Sequence, residues 1–195
     1  MLPAAGCNLL FGIHDGELTS SSASSGTGGC GVYDGDGMVT ATNTGSANLA
    51  TVTFYASGSV SGAYQPPRDT TEINIGSGPA GATCDLGLRV TLSGHVMAGT
   101  TYTLASEATF NSPAFHMGAH AFVELAADLT CTPPAPKEWQ SLDSAAGTVR
   151  VTSVTATSVA LSFTGVEITG VTNAMGSGTG KLVLDGAVHS DCFGF

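Results

Sequence analysis

Two histidines and a glutamate lie close together in the stretch HMGAHAFVE, at His116, His120 and Glu124. Their spacing of four residues places the side chains on one face of a helix, and even spacing also keeps them on one side of a strand. Imidazole nitrogens and a carboxylate are ligands that suit zinc. The motif lacks the glutamate between the histidines that serves as the base in zinc proteases. We therefore interpret the three as solvent-facing polar residues of a half-buried strand, with a metal-dependent hydrolase as the alternative, and we expect no cofactor.

Two aromatic residues beside proline-rich breaks could stack on sugars. Tyr64 lies in AYQPP, and Trp139, the single tryptophan, lies in PKEWQ. A lone tryptophan is usually buried to a large extent, so Trp139 is also expected to plug one end of the fold. The two aromatic residues define a carbohydrate-binding alternative, in which loop aromatics hold the ligand.

No local pattern supports covalent catalysis. The chain has no G-x-S-x-G motif, and nothing local joins its serine, histidine and aspartate residues into a triad. Paired carboxylates for glycoside hydrolysis meet only in the fold, so the sequence neither supports nor excludes them. We therefore predict a protein that is not an enzyme.

Charge excludes two classes of partner. Five basic residues face fifteen acidic ones, which gives a net charge of -10. The basic residues are scattered singly, so no patch exists to neutralise the phosphates of a nucleic acid. Adhesion to an anionic membrane by charge alone is excluded on the same ground.

Five cysteines occur without any C-x-x-C pair, which argues against a zinc ribbon or a thioredoxin-like site. Four of them are widely spaced among short strands, as is typical of two disulfides formed in an oxidising compartment. We expect the pairs Cys30–Cys84 and Cys131–Cys192, although three pairings of these four residues are open. Cys7 is then left over.

The first seven residues, MLPAAGC, resemble the end of a bacterial lipoprotein signal peptide. In that family a short lipobox precedes a cysteine that is lipidated, and Ala5, Gly6 and Cys7 match its last three positions, whereas Ala4 stands where leucine is usual. The resemblance implies a lipid anchor on Cys7 rather than a transmembrane segment. Asn8 after the cysteine implies sorting to the outer membrane of the bacterial envelope.

A flexible Ser/Gly tether, TSSSASSGTGG, follows at 19–29. We therefore divide the chain into a signal remnant with a disordered tether at 1–29 and a single domain at 30–195. No run of apolar residues reaches the length of a membrane-spanning helix.

The domain has the composition and patterning of an all-β protein. Apolar residues make up 42% of the chain and charged residues only 10%, a mixture that favours strands joined by tight turns over helices. Short alternating runs predict an antiparallel β-sandwich of about nine or ten strands, Ig-like or jelly-roll-like, with a barrel as the second choice. The predicted strands before the final segment are 38–44, 49–56, 71–75, 86–92, 101–105 and 120–130. The proline-rich stretches 62–70 and 132–137 are predicted to be loops.

The final segment, 147–188, predicts a three-strand meander. Its core-facing residues are expected to include Val149, Val151 and the alternating set Val159, Leu161 and Phe163. The alternation slips by one residue after Val151, which predicts a β-bulge near 152–153. The stretch 169–180 is predicted to be a loop. This meander is expected to be scaffold.

These observations favour one function over two alternatives. The chain is similar to exported bacterial lipoproteins in which a small β-sandwich follows a Ser/Gly tether. This resemblance implies a non-enzymatic, envelope-anchored domain that binds a protein or glycan partner, or has a structural role at the cell surface. The carbohydrate-binding module with Tyr64 and Trp139 and the metal-dependent hydrolase with His116, His120 and Glu124 are the alternatives.

Overall fold

A computed structural model describes residues 35–55, 60–66, 68–76, 85–128, 137–173, 176–190 and 193–194. Within them the chain is mostly β-structure. One short α-helix, α1 (Glu107–Phe110), and one 3-10 helix (Pro113–Met117) lie between two of the strands.

Thirteen strands occur in the described part of the chain. The first seven are β1 (Gly35–Asn43), β2 (Val52–Tyr55), β3 (Val60–Gln65), β4 (Thr70–Gly76), β5 (Asp85–Ser93), β6 (Thr101–Leu104) and β7 (His120–Asp128). The other six are β8 (Lys137–Ser141), β9 (Thr148–Val154), β10 (Val159–Asn173), β11 (Gly176–Ser177), β12 (Lys181–Ser190) and β13 (Phe193–Gly194).

Five strands close into a ring, in the order β6, β7, β8, β10 and β9. The pair β6–β7 is parallel, and the other four pairs of the ring are antiparallel. Further strands extend the sheet on both sides. From β7 the order runs through β5, β4, β3 and β13, and from β10 it runs through β12, β1 and β2.

The all-β prediction is confirmed, but a closed five-strand barrel with added outer strands takes the place of a clear sandwich. A barrel is the second choice from the sequence. The difference arises at β8, which the sequence does not predict because it follows a proline-rich stretch. By bridging β7 and β10, this short strand closes the ring.

The core fills the space between the inner faces of these strands. Trp139 and Tyr102 are its two largest fully buried side chains, and the Trp139 Nε1–H donates to the Thr179 carbonyl oxygen at 3.1 Å. The alternating residues of the final meander are buried as predicted, and Leu182 and Leu184 on β12 are buried with them. A second, smaller cluster contains Ala105, Phe115 and Phe122, with Phe110 packed against it. This second cluster joins the helical excursion to the outer face of β7.

The predicted β-bulge is confirmed. Along β9 and β10, Ala160 lies opposite Ser153 whereas Leu161 lies opposite Val151, so Thr152 is the extra residue. A second bulge, which the sequence does not predict, lies in β10 between Phe163 and Val166. At this second bulge Gly165 has a φ of 56° and its N–H donates to the Asp185 carboxylate at 2.7 Å.

Two predicted loops are wrong. The stretch 62–70 contains most of β3, which continues to Gln65 and stops only at the prolines. The stretch 169–180 contains the end of β10 and its hairpin partner β11, because small and hydroxyl residues there pair as strands rather than turn. The predicted strands 71–75, 86–92 and 101–105 coincide with β4, β5 and β6.

Several predictions lie outside the described residues. All five cysteines lie outside the described residues. The expected pairs Cys30–Cys84 and Cys131–Cys192 and the lipidation of Cys7 therefore stay predictions. The tether at 19–29 also falls there. In the described part, no helix is long and apolar enough to cross a membrane.

The second bulge leaves no space for a side chain at Gly147. This residue has a φ of 95°, and a Cβ on it would lie 2.2 Å from the Gly165 carbonyl oxygen. Gly45 has a similar φ of 99°, but a Cβ on it would have no heavy atom within 4 Å. An alanine at Gly45 would therefore test the cost of the backbone conformation alone. An alanine at Gly147 would add the cost of the steric clash.

We expect Gly45→Ala to lower the free energy of unfolding by about 1–2 kcal/mol, the cost of a left-handed residue with a Cβ. Gly147→Ala should lower it by at least about 3 kcal/mol, because a clash with backbone is added to the same strain. Urea unfolding followed by the fluorescence of Trp139 measures both. Equal losses in the two variants would show that Gly147 is not packed against the bulge.

Candidate functional site

The metal candidates do not meet in the structure. His116 is exposed in the 3-10 helix, while His120 and Glu124 share a face of β7. Four residues of strand separate His120 from Glu124 by about 13 Å, and Phe122 lies between them. The Glu124 carboxylate instead pairs with Arg89. Among the described residues, no group of three or more His, Cys, Asp or Glu side chains is arranged to hold a metal ion.

The two aromatic candidates have different environments. Trp139 is 0% exposed, so it is buried, as expected of a lone tryptophan, and presents no surface on which a sugar could stack. Tyr64 is half-buried on β3, and its ring stacks on that of His95 with centroids 3.5 Å apart. Its hydroxyl donates to the Asp69 carboxylate at 2.8 Å, and this bond raises the pKa of Tyr64.

A serine and an aspartate come together beside α1, but as a helix cap. Ser106 Oγ donates to Asp143 at 2.8 Å and accepts from the Thr109 N–H at 3.2 Å. The Ser106 N–H also donates to Asp143, and these bonds lower the pKa of that carboxyl. In a catalytic triad a histidine would receive the serine proton. Here Ser106 donates to the carboxylate directly, so its hydroxyl is a capping group.

A cluster of polar residues lies on the outer face of β4, β5, β7 and β8. We call Asn74, Arg89, Glu124, Glu138 and Gln140 the carboxylate cluster. Arg89 lies opposite both Asn74 and Glu124, and Glu124 lies opposite Gln140. Arg89 Nη2 donates to Glu124, and Gln140 Nε2 donates to Glu138. Cross-strand neighbours share a face, so register alone brings the five side chains together.

Burial dominates the electrostatics of this cluster. The Glu124 side chain is 10% exposed, and desolvation raises its pKa above the ordinary value of 4.5. The Arg89 guanidinium acts in the opposite direction, while a hydrogen bond with Glu138 and its charge raise the pKa of Glu124 further. Asn74 Oδ1 and Arg89 Nε are buried without a hydrogen-bond partner in the described residues.

The carboxylate cluster has the geometry of a structural ion network. In glycoside hydrolases the two carboxyl groups stand about 5 Å or more apart, with the sugar between them. Glu124 and Glu138 are instead both largely buried, and each is bound by a neighbouring side chain, Arg89 and Gln140 respectively. Buried charges of this kind cost desolvation energy that pairing offsets in part. The cluster is therefore a poor candidate for the functional surface.

On other strands, the outer face carries a row of exposed and half-buried residues that crosses six strands. We call it the exposed row, and its members are Thr101, Arg150, Ser162, Ala187, Met38 and Tyr55, in the order β6, β9, β10, β12, β1 and β2. Met38 and Tyr55 lie directly opposite each other and are 53% and 51% exposed. Ser162 and Ala187, in the middle, are small. The row therefore has an apolar pair at one end, short side chains in its centre and a cationic residue near its other end.

Hydroxyl side chains flank the exposed row. Five threonines lie on the same outer face, each two residues along its strand from a member of the exposed row. We call them the threonine row: Thr103, Thr148, Thr164, Thr40 and Thr53. Thr40 Oγ1 and Thr53 Oγ1 are hydrogen-bonded at 3.1 Å. On β12 the row continues with Asp185, opposite Thr40, whose carboxylate is held by the Gly165 N–H. The face is thus rich in uncharged hydrogen-bonding groups.

Sequence reasoning missed this face. Met38 and Thr40 alternate with buried Val39 and Ala41, so the outward positions of β1 could be read from the sequence. Their neighbours could not, because the row combines six strands whose order and register the sequence does not specify.

The carboxylate cluster yields a prediction about pH. Since the pKa of Glu124 is raised in the folded chain, its contribution to stability is complete below its ordinary pKa and is lost as the pH rises through the raised value. Glu124→Gln removes this titration but keeps an oxygen for Arg89. We expect the free energy of unfolding to fall less in this variant than in the wild type between about pH 4.5 and pH 8.

Urea unfolding across this pH range measures the difference, and Glu107→Gln, on the exposed surface of α1, is the control for changed net charge. Identical pH slopes for wild type and Glu124→Gln would show that desolvation does not control this carboxyl group.

A scan against protein-family models gave no match for this chain, and searches of curated proteins and of solved structures gave none either. The function must therefore be argued from the surface itself.

Proposed function

We propose that this protein is a non-enzymatic binding domain of the bacterial cell envelope, which holds a polysaccharide against the exposed row. One observation carries the proposal: Tyr55 and Met38 form an exposed apolar pair at the end of a face that is otherwise lined by hydroxyl groups and small side chains. The lipobox resemblance at Cys7 and the Ser/Gly tether support export, a lipid anchor and a location in the outer membrane.

The apolar pair differs from the other exposed hydrophobic residues. Met97, Met117 and Leu142 are also exposed, but they lie in three different connections between strands. Single exposed hydrophobic residues are normal on protein surfaces, whereas a joined patch with a polar rim marks a binding site. Met38 and Tyr55 are cross-strand neighbours, so their side chains form such a joined patch.

The chemistry of the face fits a carbohydrate. A sugar ring has an apolar C–H face that stacks on an aromatic side chain and a rim of hydroxyl groups that needs hydrogen-bonding partners. Tyr55 supplies the aromatic surface, and the threonine row supplies donors and acceptors beside it. The face extends over about 19 Å between β9 and β2, which suits a polymer better than a single sugar.

A protein partner is the second candidate, favoured by the position of β2. This strand ends the sheet order, so its outer edge has no hydrogen-bonded neighbour among the described residues. A partner segment could add to that edge as a further strand. Such binding would depend on the backbone of β2 and would tolerate truncation of Tyr55.

We expect Tyr55→Ala to weaken polysaccharide binding at least about fivefold, since aromatic anchors of binding surfaces contribute more than about 1 kcal/mol. Tyr64→Ala is the matched control, because its ring already stacks on His95. Affinity electrophoresis in gels that contain neutral and acidic polysaccharides measures retention. Loss of retention in Tyr64→Ala with normal retention in Tyr55→Ala would move the site to Tyr64 on β3, and retention by none of the gels would refute the proposal.

The anchor has its own test. In cells that express the full protein with an export signal, we expect the wild type in the membrane fraction and Cys7→Ser in the soluble fraction, because one residue carries the lipid. Cys30→Ser is the control for loss of a cysteine. Membrane association of Cys7→Ser at the level of the wild type would contradict a lipid anchor at this position.

A further inference from the structure

We propose that the polysaccharide carries carboxylated sugars and that Arg150 binds their carboxylate, so that this residue determines specificity. The inference rests on the proposed function, because it assigns a ligand class to the same exposed row. It uses a second observation, namely which basic side chains have an ion-pair or hydrogen-bond partner, and this observation is independent of the apolar pair.

Arg150 is an exposed cation without an internal partner in the described part of the chain. The chain has only five basic residues. Three of them are engaged: Arg89 with Glu124, Lys181 Nζ with Glu167 at 2.7 Å, and Lys137 Nζ with the Asn48 carbonyl oxygen at 2.7 Å. The Arg150 guanidinium has no ion pair and no hydrogen bond within the described ranges. Arg68, the fifth, is also exposed and has no side-chain partner in these ranges, but it lies in the turn between β3 and β4, outside the exposed row.

The carboxylates of the face lie away from Arg150 or are already bound. Asp185 accepts a hydrogen bond from the Gly165 N–H at 2.7 Å. Asp36 lies on β1, three strand spacings from β9, which is about 14 Å, and its carboxylate is 3.6 Å from His189 Nδ1. The face is therefore polarised, with the apolar pair at one end and an uncompensated cation toward the other.

The residues between the two ends leave the path open. Ser162 and Ala187 separate Arg150 from Met38, and neither has a side chain long enough to obstruct a ligand. A chain-like ligand that stacks on Tyr55 can therefore reach Arg150 along one row. A guanidinium binds a carboxylate through two parallel hydrogen bonds, a geometry that lysine cannot reproduce. Carboxylated sugars supply this group at regular intervals.

The probes are a short galacturonic acid oligosaccharide and its methyl ester, in which a methyl group on each carboxyl group removes its charge. We expect the wild type to bind the acid about tenfold more tightly than the ester in isothermal titration calorimetry, as suits one charge-assisted pair. Arg150→Gln should bind both equally, at the level of the ester. Arg150→Lys should recover part of the preference, because it keeps the charge but loses the two-bond geometry.

The remaining outcomes separate the two proposals. Tyr55→Ala should weaken binding of both probes and keep the preference for the acid. If Arg150→Gln retains the full preference, or if the wild type binds only neutral polysaccharides, the inference about Arg150 is wrong while the proposed function stands. If neither probe and no polysaccharide binds, the proposed function fails first. Arg150 is exposed, so circular dichroism is expected to show an unchanged fold in its variants.

Discussion

The fold depends on the bulge at Thr164–Gly165 in β10. One edge of β10 pairs with β12 before and after the bulge, while the other edge pairs with β9 up to Thr164 and with β8 from Ile168 onward. An extra residue increases the local twist of a strand, which lets β10 turn from one partner to the next. The Gly165 backbone has a left-handed φ, and the connection at Gly147 packs against it without space for a side chain. The bulge thus lies between the two stretches of β10 whose pairings with β9 and β8 are both part of the closed ring.

The same arrangement gives the sheet two different outer surfaces. On the surface formed by β4, β5, β7 and β8, Arg89 pairs with Glu124. This pairing offsets part of the desolvation energy that burial of the two charges costs. On the side of β9, β10, β12, β1 and β2, the charges are few and the hydroxyl groups many, with the Met38–Tyr55 pair at the far strands. A surface that keeps an apolar pair and a free guanidinium exposed gains nothing in stability from them. That contrast is the physical basis for proposing the second surface, rather than the first, as a binding site.

How far the sequence predicts this structure depends on whether a feature is local. The alternation of the final meander and the slip after Val151 are properties of neighbouring residues, and the structure confirms both. β8 was missed because prolines precede it and its five residues show no alternation, and its strand character comes from partners on both sides. Neither the exposed row nor the carboxylate cluster is local.

The central claim is that a carboxylated glycan lies along the exposed row, and amide chemical-shift mapping by NMR tests it most directly. On titration with the galacturonic acid oligosaccharide, we predict shifts at Tyr55, Met38, Ala187, Ser162 and Arg150, with the amides of β4 and β5 unchanged. Shifts centred on Tyr64 and His95, or on the carboxylate cluster, would contradict it, and so would a spectrum that does not change.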